Sequence, residues 1–312
     1  MFQAGLLAVG FVAATGAAGA VDYPWTIWLG GHRWPALVEI MGRTMFEGQA
    51  PGCGDAVVLY ILCAIAGYYA AWKRSSGRTH RLRPQLGFIV TSAAVWGLGL
   101  VHALKWAVGR ARPMEVLYSG EPFTAWYRIG PHFVTEGVYR GSFPSGHTAQ
   151  AALLLTLVYV IAAAARQRPP LRQASWGAGA FCLFYVAGMG AARVMALSHW
   201  LTDVVAGLFM TWLGIHITYH WLLQVPAQTA FYRKTGRWPR APEAWELRLS
   251  AWLLGVLAGA AAAALGARAL LRSDHQGLGF LLPIGAVLLT VSLLRARSLR
   301  QRALAELEEP AP

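Results

Sequence analysis

The sequence predicts an all-α integral membrane protein of about eight spans, and three observations predict it. Of 312 residues, 56% are apolar and only 13% are charged, about half the charged share of an ordinary soluble protein. Uncharged runs of roughly 18 residues or more, the length that crosses a hydrocarbon core as helix, recur along the chain. The basic residues stand between those runs and form no continuous patch, so the net charge of +13 reads as membrane topology and no nucleic-acid partner is expected.

The first run covers residues 3–20. Its small residues Ala17, Ala18, Gly19 and Ala20 resemble a signal-peptide cleavage site, but a basic segment ahead of the apolar stretch is missing, so it reads as an uncleaved helix. A long outward loop, Val21–Asp55, follows with Trp25, Trp28, Trp34, Pro24 and Pro35, a composition suited to the headgroup layer. Spans at 56–72 and 86–104 come next. The loop from Pro113 to about Gly146 is polar and aromatic, carrying Trp126, Tyr127, His132, Tyr139 and Arg140, and a loop of that length points to function.

Spans at 148–165, 174–192 and 204–223 complete a core of residues 1–224. Beyond Gln224 a basic stretch (Arg233, Lys234, Arg237, Arg240) leads to an Ala-rich hairpin of spans at 250–267 and 277–294, so residues 225–312 read as an accessory region. Gly255 and Gly259 set small residues four apart in the seventh span, which lets another backbone approach closely; the oligomeric state stays open. Cys53, Cys63 and Cys182 are too few and too scattered for a disulfide framework or a metal cluster. With the N-terminus inside, the segments 73–85, 166–173, 224–249 and the tail from Arg295 are cytoplasmic and hold 17 of the 27 Lys and Arg. An even number of spans then puts both termini in the cytoplasm.

Charged groups at membrane depth or at helix ends are costly unless paired or solvated, so their positions are informative. Lys105 and Arg112 close the third span, seven residues apart and so on nearly one helix face, with Pro113 ending the helix. Two cations there suit a phosphate, though snorkelling basic residues explain the pair alone. Phe143-Pro144-Ser145-Gly146-His147 precedes the fourth span, where N–H groups at a helix start favour an anion and His147 is suited to proton donation. Arg193, His199 and Asp203 lie between the fifth and sixth spans. If the helix begins by Ser198, the carboxylate of Asp203 shares a face with His199 and holds one ring nitrogen as N–H, leaving the other free to attack. Arg193 reaches the same place from the preceding helix through a reversal of the chain. All three clusters fall on the outer side of a topology derived from charge alone.

Taken together these residues resemble the type 2 phosphatidic acid phosphatase superfamily, whose signature runs Lys, six residues, Arg-Pro; then Pro-Ser-Gly-His; then Ser-Arg, five residues, His, three residues, Asp. Lys105, Arg112-Pro113, Pro144-Ser145-Gly146-His147 and Arg193, His199, Asp203 match it in order and spacing. Ala192 departs from it, standing where the family has a serine, which removes a hydroxyl donor to the phosphate. The resemblance implies a six-helix phosphatase core with an outward-facing site, to which the C-terminal two-helix hairpin is an addition. It implies that His199 attacks phosphorus, Asp203 orients it, and His147 protonates the leaving oxygen and later activates water. Lys105, Arg112, Arg193, Ser145 and the Gly146 backbone would clamp the phosphate, with no metal and no cofactor.

The expected activity is metal-independent dephosphorylation of a phosphorylated membrane lipid at the periplasmic face of a bacterial inner membrane, through a phosphohistidine. Undecaprenyl pyrophosphate, phosphatidylglycerol phosphate, phosphatidic acid and the 1-phosphate of lipid A are all open as substrates. Transfer of the phosphoryl group to a second lipid is the alternative within the same chemistry. A non-catalytic phospholipid-binding or transport protein would leave His147, His199 and Asp203 without a task. Glu115, Tyr118, Arg128 and Arg140 are candidate headgroup contacts, with His132 beside them. His216 and His220, four apart in the sixth span, read as polar residues bonded between helices, and His102 reads as packing or support for Lys105.

Overall fold

The computed structural model describes residues 2–73, 77–137, 140–165, 170–272 and 275–308. Tyr139 of the long loop, and Arg74, Arg166 and Arg168 of the segments assigned to the cytoplasm, lie outside them. The described residues contain no strand. Eight helical stretches are long and apolar enough to cross a membrane: Gln3–Gly31, Cys53–Lys73, Arg83–Tyr118, Gly146–Ala164, Leu171–Met195, Leu201–Thr235, Trp245–Leu270 and Gln276–Leu307. This is the number and order that the apolar runs predict. Large apolar side chains such as Trp176 and Phe184 are 77% and 78% exposed, as expected of a surface whose solvent is lipid.

The principal helices in chain order are α1 (Phe2–Gly31), α2 (Pro35–Gly42), α3 (Cys53–Lys73), α4 (Arg83–Ser92), α5 (Val101–Val108), α6 (Pro113–Tyr118), α7 (Gly146–Ala152), α8 (Leu155–Ala165), α9 (Pro170–Met195), α10 (Leu201–Ile217), α11 (Val225–Thr235), α12 (Trp245–Leu270) and α13 (Leu281–Glu308). A π-helical segment, Ala93–Leu100, joins α4 to α5. The chain divides into two compact units, Met1–Tyr60 with Trp96–Ile215, and Ile61–Val95 with His216–Pro312.

In the first unit α9 is the central post, against which α1, α2, α7 and α8 pack. Two expectations are corrected here. The stretch read as a headgroup-layer loop after Ala20 is largely helical: α1 continues through Pro24, Trp25 and Trp28 to Gly31, and Pro35 opens α2 at its first turn, where its missing N–H costs nothing. The helix persists because the carboxylate in its second half, Asp22, is buried and paired inside the protein and does not need water. What remains of the loop is fastened by Asp55, which accepts from the Thr44 hydroxyl at 2.6 Å, Met45 N–H at 2.8 Å and Gly52 N–H at 2.9 Å.

The second correction concerns the end of the third span. Lys105 and Arg112 do not share one helix. Gly109 adopts the left-handed conformation (φ 59°) and caps α5, donating to the Lys105 carbonyl at 3.0 Å, a conformation glycine enters without a Cβ penalty. Arg112 is extended (φ −76°, ψ 155°), as a residue preceding proline is pushed to be. Pro113 therefore starts α6 and does not end α5.

In the second unit α12 packs on α4 and, along its whole length, on α13. Glu246 anchors α12: buried, it accepts from the Tyr68 hydroxyl at 2.8 Å and faces Arg83 at 3.5 Å. The small residues of α12 meet the same chain. A Cβ on Gly259 would lie 2.5 Å from Leu289 N and one on Gly255 2.4 Å from Ser292 Oγ, so the close approach that this spacing predicts is made by α13 of the hairpin, and the face is not free for a second copy.

Candidate active site

Three short segments converge in the first unit, and backbone hydrogen bonds stitch them together. The segment after Gly109 meets the turn after α9 through Met114 N–H to Leu197 O at 3.1 Å and Trp200 indole N–H to Ala111 O at 2.8 Å. It meets the approach to α7 through Ser142 N–H to Arg110 O at 2.8 Å. The approach to α7 meets α10 through Ser145 N–H to Asp203 O at 2.9 Å. Buried backbone groups of irregular segments must be paired somewhere, and here they pair with one another, which fixes the relative positions of the side chains they carry.

Lys105 is buried and donates from Nζ to Gly141 O at 2.7 Å. A Cβ on Gly141 would lie 2.5 Å from the Lys105 carbonyl oxygen, so only glycine lets the loop come this close. Arg112 donates to Ser198 O at 3.2 Å, and Arg193, in the last turn of α9, to Gly42 O at 3.2 Å. Ser145 is the N-cap of α7. Its hydroxyl accepts from Thr148 N–H at 3.4 Å and from the Thr148 hydroxyl at 2.9 Å, which is ordinary capping chemistry.

The chain reverses after α9 as expected. Leu197 takes a left-handed conformation (φ 52°), costly for a branched side chain, and Ser198 and His199 N–H groups fold back onto Arg193 O at 3.1 and 3.3 Å. α10 begins at Leu201, so His199 precedes the helix and does not lie on it, contrary to the condition that it begin by Ser198. Asp203 sits in the first turn and accepts from Trp200 N–H at 2.9 Å. His199 Nδ1 nonetheless faces Asp203 Oδ2, at 3.6 Å. Burial, followed by the positive charges of Lys105, Arg112 and Arg193, holds the His199 ring well below the ordinary imidazole range.

Lys105, Arg112, Gly146, His147, Arg193 and His199 line one cavity of about 630 Å³, together with Phe46, Gly97, Leu98, Val101, His102 and Gln150. Ser145 and Asp203 stand behind its wall, and Ala192 is fully buried. The lining combines three cations with the apolar Phe46, Leu98 and Val101. The four headgroup candidates are not among its lining residues. Glu115 is occupied in holding the loop, accepting from Arg112 N–H at 2.8 Å and facing His132 Nε2 at 3.0 Å and Arg140 Nε at 3.2 Å. Glu136 faces the other His132 nitrogen at 2.8 Å. Partial burial would raise its carboxyl, but the Phe133 N–H, His132 and Arg140 outweigh that and lower it. Tyr118 is exposed, and Arg128 lies against the Tyr127 ring.

Sequence reasoning passed over Arg110 and Asp22. Arg110 is fully buried and donates from Nε to Thr124 O, from Nη1 to Thr202 Oγ1 and Asp203 Oδ1, and from Nη2 to Asp22 Oδ2, each at 2.7 Å. Its guanidinium carbon lies 5.3 Å from the Trp200 ring centre. Asp22 also accepts from Thr202 N–H at 2.9 Å and the Thr202 hydroxyl at 2.7 Å. The carboxylate facing His199 is thus held by a guanidinium that α1 in turn holds. The available signals were an aspartate in an otherwise uncharged helix and an arginine directly after a capping glycine.

A family profile described as PAP2 superfamily matches residues 85–226, a stretch that contains all three segments. Neither a curated protein nor a solved structure matches the chain.

Proposed function

We propose, on the premise that residues 85–226 place this multi-pass membrane protein in the PAP2 superfamily of phosphatases, that it removes phosphate from a phosphorylated membrane lipid through a phosphohistidine. The observation that carries the proposal is the shared cavity: Lys105, Arg112 and Arg193 line it with His147 and His199, and so do the apolar Phe46, Gly97, Leu98 and Val101. Leu98 stands seven residues before Lys105, about 10 Å along a helix. That is far enough to receive the first part of a lipid chain while the phosphate rests among the cations.

In the first half-reaction His199 Nε2 forms a bond to phosphorus as the P–O bond to the lipid breaks, and His147 gives its proton to the departing oxygen. Asp203 Oδ2, 3.6 Å from His199 Nδ1, closes on that N–H as phosphorus is attacked and stabilises the charge that develops on the ring. In the second half His147 takes a proton from water, the water oxygen attacks phosphorus, and the P–N bond breaks to release phosphate and restore His199. Three fixed cations meet the spreading negative charge of both transition states, so the reaction does not call for a divalent metal. The basic bias of the segments 73–85, 166–173, 224–249 and the tail supports a site on the periplasmic side.

The test is phosphate release from a panel of phosphorylated lipids by purified protein in EDTA, with alkaline detergent quenching to trap enzyme labelled from radioactive lipid phosphate, since the P–N bond survives base and not acid. The expected result is release that persists in EDTA and vanishes, with the label, in His199→Ala. Metal dependence, or release by the variant, would overturn it.

A further inference from the structure

The C-terminal hairpin carries a second cationic groove. On α13, Arg295, Leu299 and Arg302 recur at helical spacing and share one face; on α12, Arg248, Ala251 and Trp252 do the same. These six residues line a groove of about 380 Å³. The helices run antiparallel in a register that the small-residue contacts fix: Gly255 meets Ser292, Gly259 meets Leu289 and Gly285, and Gly266 meets Leu282. Continued by two turns, that register sets Trp252 across from Arg295 and Arg248 across from Leu299, with Arg302 one turn further out.

The three arginines are exposed at the rim, and Leu299 is buried beneath them. The ion pairs described in this unit engage Arg83, Arg237 and Arg240, not these three. Their depth is also defined. Residues 281–294 of α13 and 249–267 of α12 are uncharged, so the groove sits where both helices pass from hydrocarbon to charge. Below Arg295 the same face of α13 continues as Val291 and Leu288, both exposed to lipid.

We propose that this groove binds one anionic phospholipid, its phosphate among Arg248, Arg295 and Arg302 and an acyl chain along Trp252, Val291 and Leu288. A headgroup of net negative charge fits three guanidinium groups with no carboxylate among the lining residues, and basic pockets between helices at this level suit such lipids. A zwitterionic lipid would bring its own cation into them. The inference does not depend on the phosphatase reading.

Native mass spectrometry of the full chain in neutral detergent, titrated with phosphatidylglycerol or phosphatidylcholine, tests it. The expected result is one retained phosphatidylglycerol, and affinity about tenfold weaker or worse in the triple variant Arg248→Gln, Arg295→Gln, Arg302→Gln. The charge-matched control Arg33→Gln, Arg172→Gln, Arg297→Gln should bind like wild type, although Arg297 is only two residues from Arg295. Arg295→Gln alone, at the exposed rim, should weaken binding about threefold and serves if the triple variant does not fold. Equal loss in the control, equal retention of phosphatidylcholine, or displacement of the lipid by glycerol phosphate at comparable concentration would each overturn the proposal.

Discussion

Arg110 offers the sharpest test of how the site is built. Its guanidinium is fully buried, makes four contacts of 2.7 Å, and is the cation shared by Asp22 and Asp203, which are 2% and 0% exposed. Arg110→Ala leaves two buried carboxylates without their counter-charge. Removing one partner of a buried ion pair costs about 3–5 kcal/mol, a fall in melting temperature on the order of 10 °C. Arg110→Met combined with Asp22→Asn removes one stranded charge with the cation and should recover on the order of 2 kcal/mol of that loss. Activity should not recover with it. Asp203 keeps its bond from Trp200 N–H but loses the one that fixes its other oxygen, and a misplacement near 1 Å costs about 100-fold in turnover. Thermal unfolding in detergent and phosphate release from the same preparations read the two effects separately. Wild-type melting of Arg110→Ala, or a double variant no more stable than the single one, would refute the reasoning.

His199, held well below the ordinary imidazole range, is neutral throughout the neutral region. The ring carbon resonance of labelled protein, assigned with His199→Asn, should still report a neutral ring at pH 6, and a midpoint near 6.5 would contradict it. The sign for stability follows: as pH falls below the unfolded value, the unfolded chain takes up a proton that folded His199 refuses, so stability declines on the acid side. Gly141→Ala places a methyl 2.5 Å from the Lys105 carbonyl oxygen; it should lower turnover at least about tenfold by displacing the loop that holds Lys105, measurable as phosphate release at saturating lipid. Gly259→Val sets a side chain 2.5 Å from the Leu289 backbone nitrogen and should destabilise the hairpin by about 1–3 kcal/mol, seen as earlier proteolysis of the C-terminal region with little change in turnover.

What the sequence displayed well was the part governed by periodicity and by rare residue combinations. Eight uncharged runs became eight candidate spans because burying backbone in lipid leaves few alternatives to helix. Lys105, Arg112, His147, Arg193 and His199 were legible as a group because cations and histidines beside apolar runs have few bland explanations, and all five line one cavity. The errors came where a local rule was outweighed. Pro24 and the tryptophans suggested a loop, yet the pairing of Asp22 with Arg110 allowed the helix to continue. Pro113 drew attention as a breaker while Gly109, four residues earlier, had already ended the helix. Arg110 was hidden by its neighbours: between two cations with a plain use, a third looked like more of the same, and only the fold shows it facing carboxylates from α1 and α10.

The pairing of Asp22 also sets a schedule for biogenesis. Arg110 follows it by 88 residues and Thr202 by 180. At roughly 5–20 residues per second of synthesis, the first helix waits on the order of 10–40 s before the groups that satisfy its carboxylate have emerged. During that interval a charged aspartate carried into the hydrocarbon would cost up to about 3 kcal/mol, so the nascent helix has reason to stay shallow, or beside the insertion machinery, with Asp22 in contact with water. The first helix to be made is then among the last to be seated.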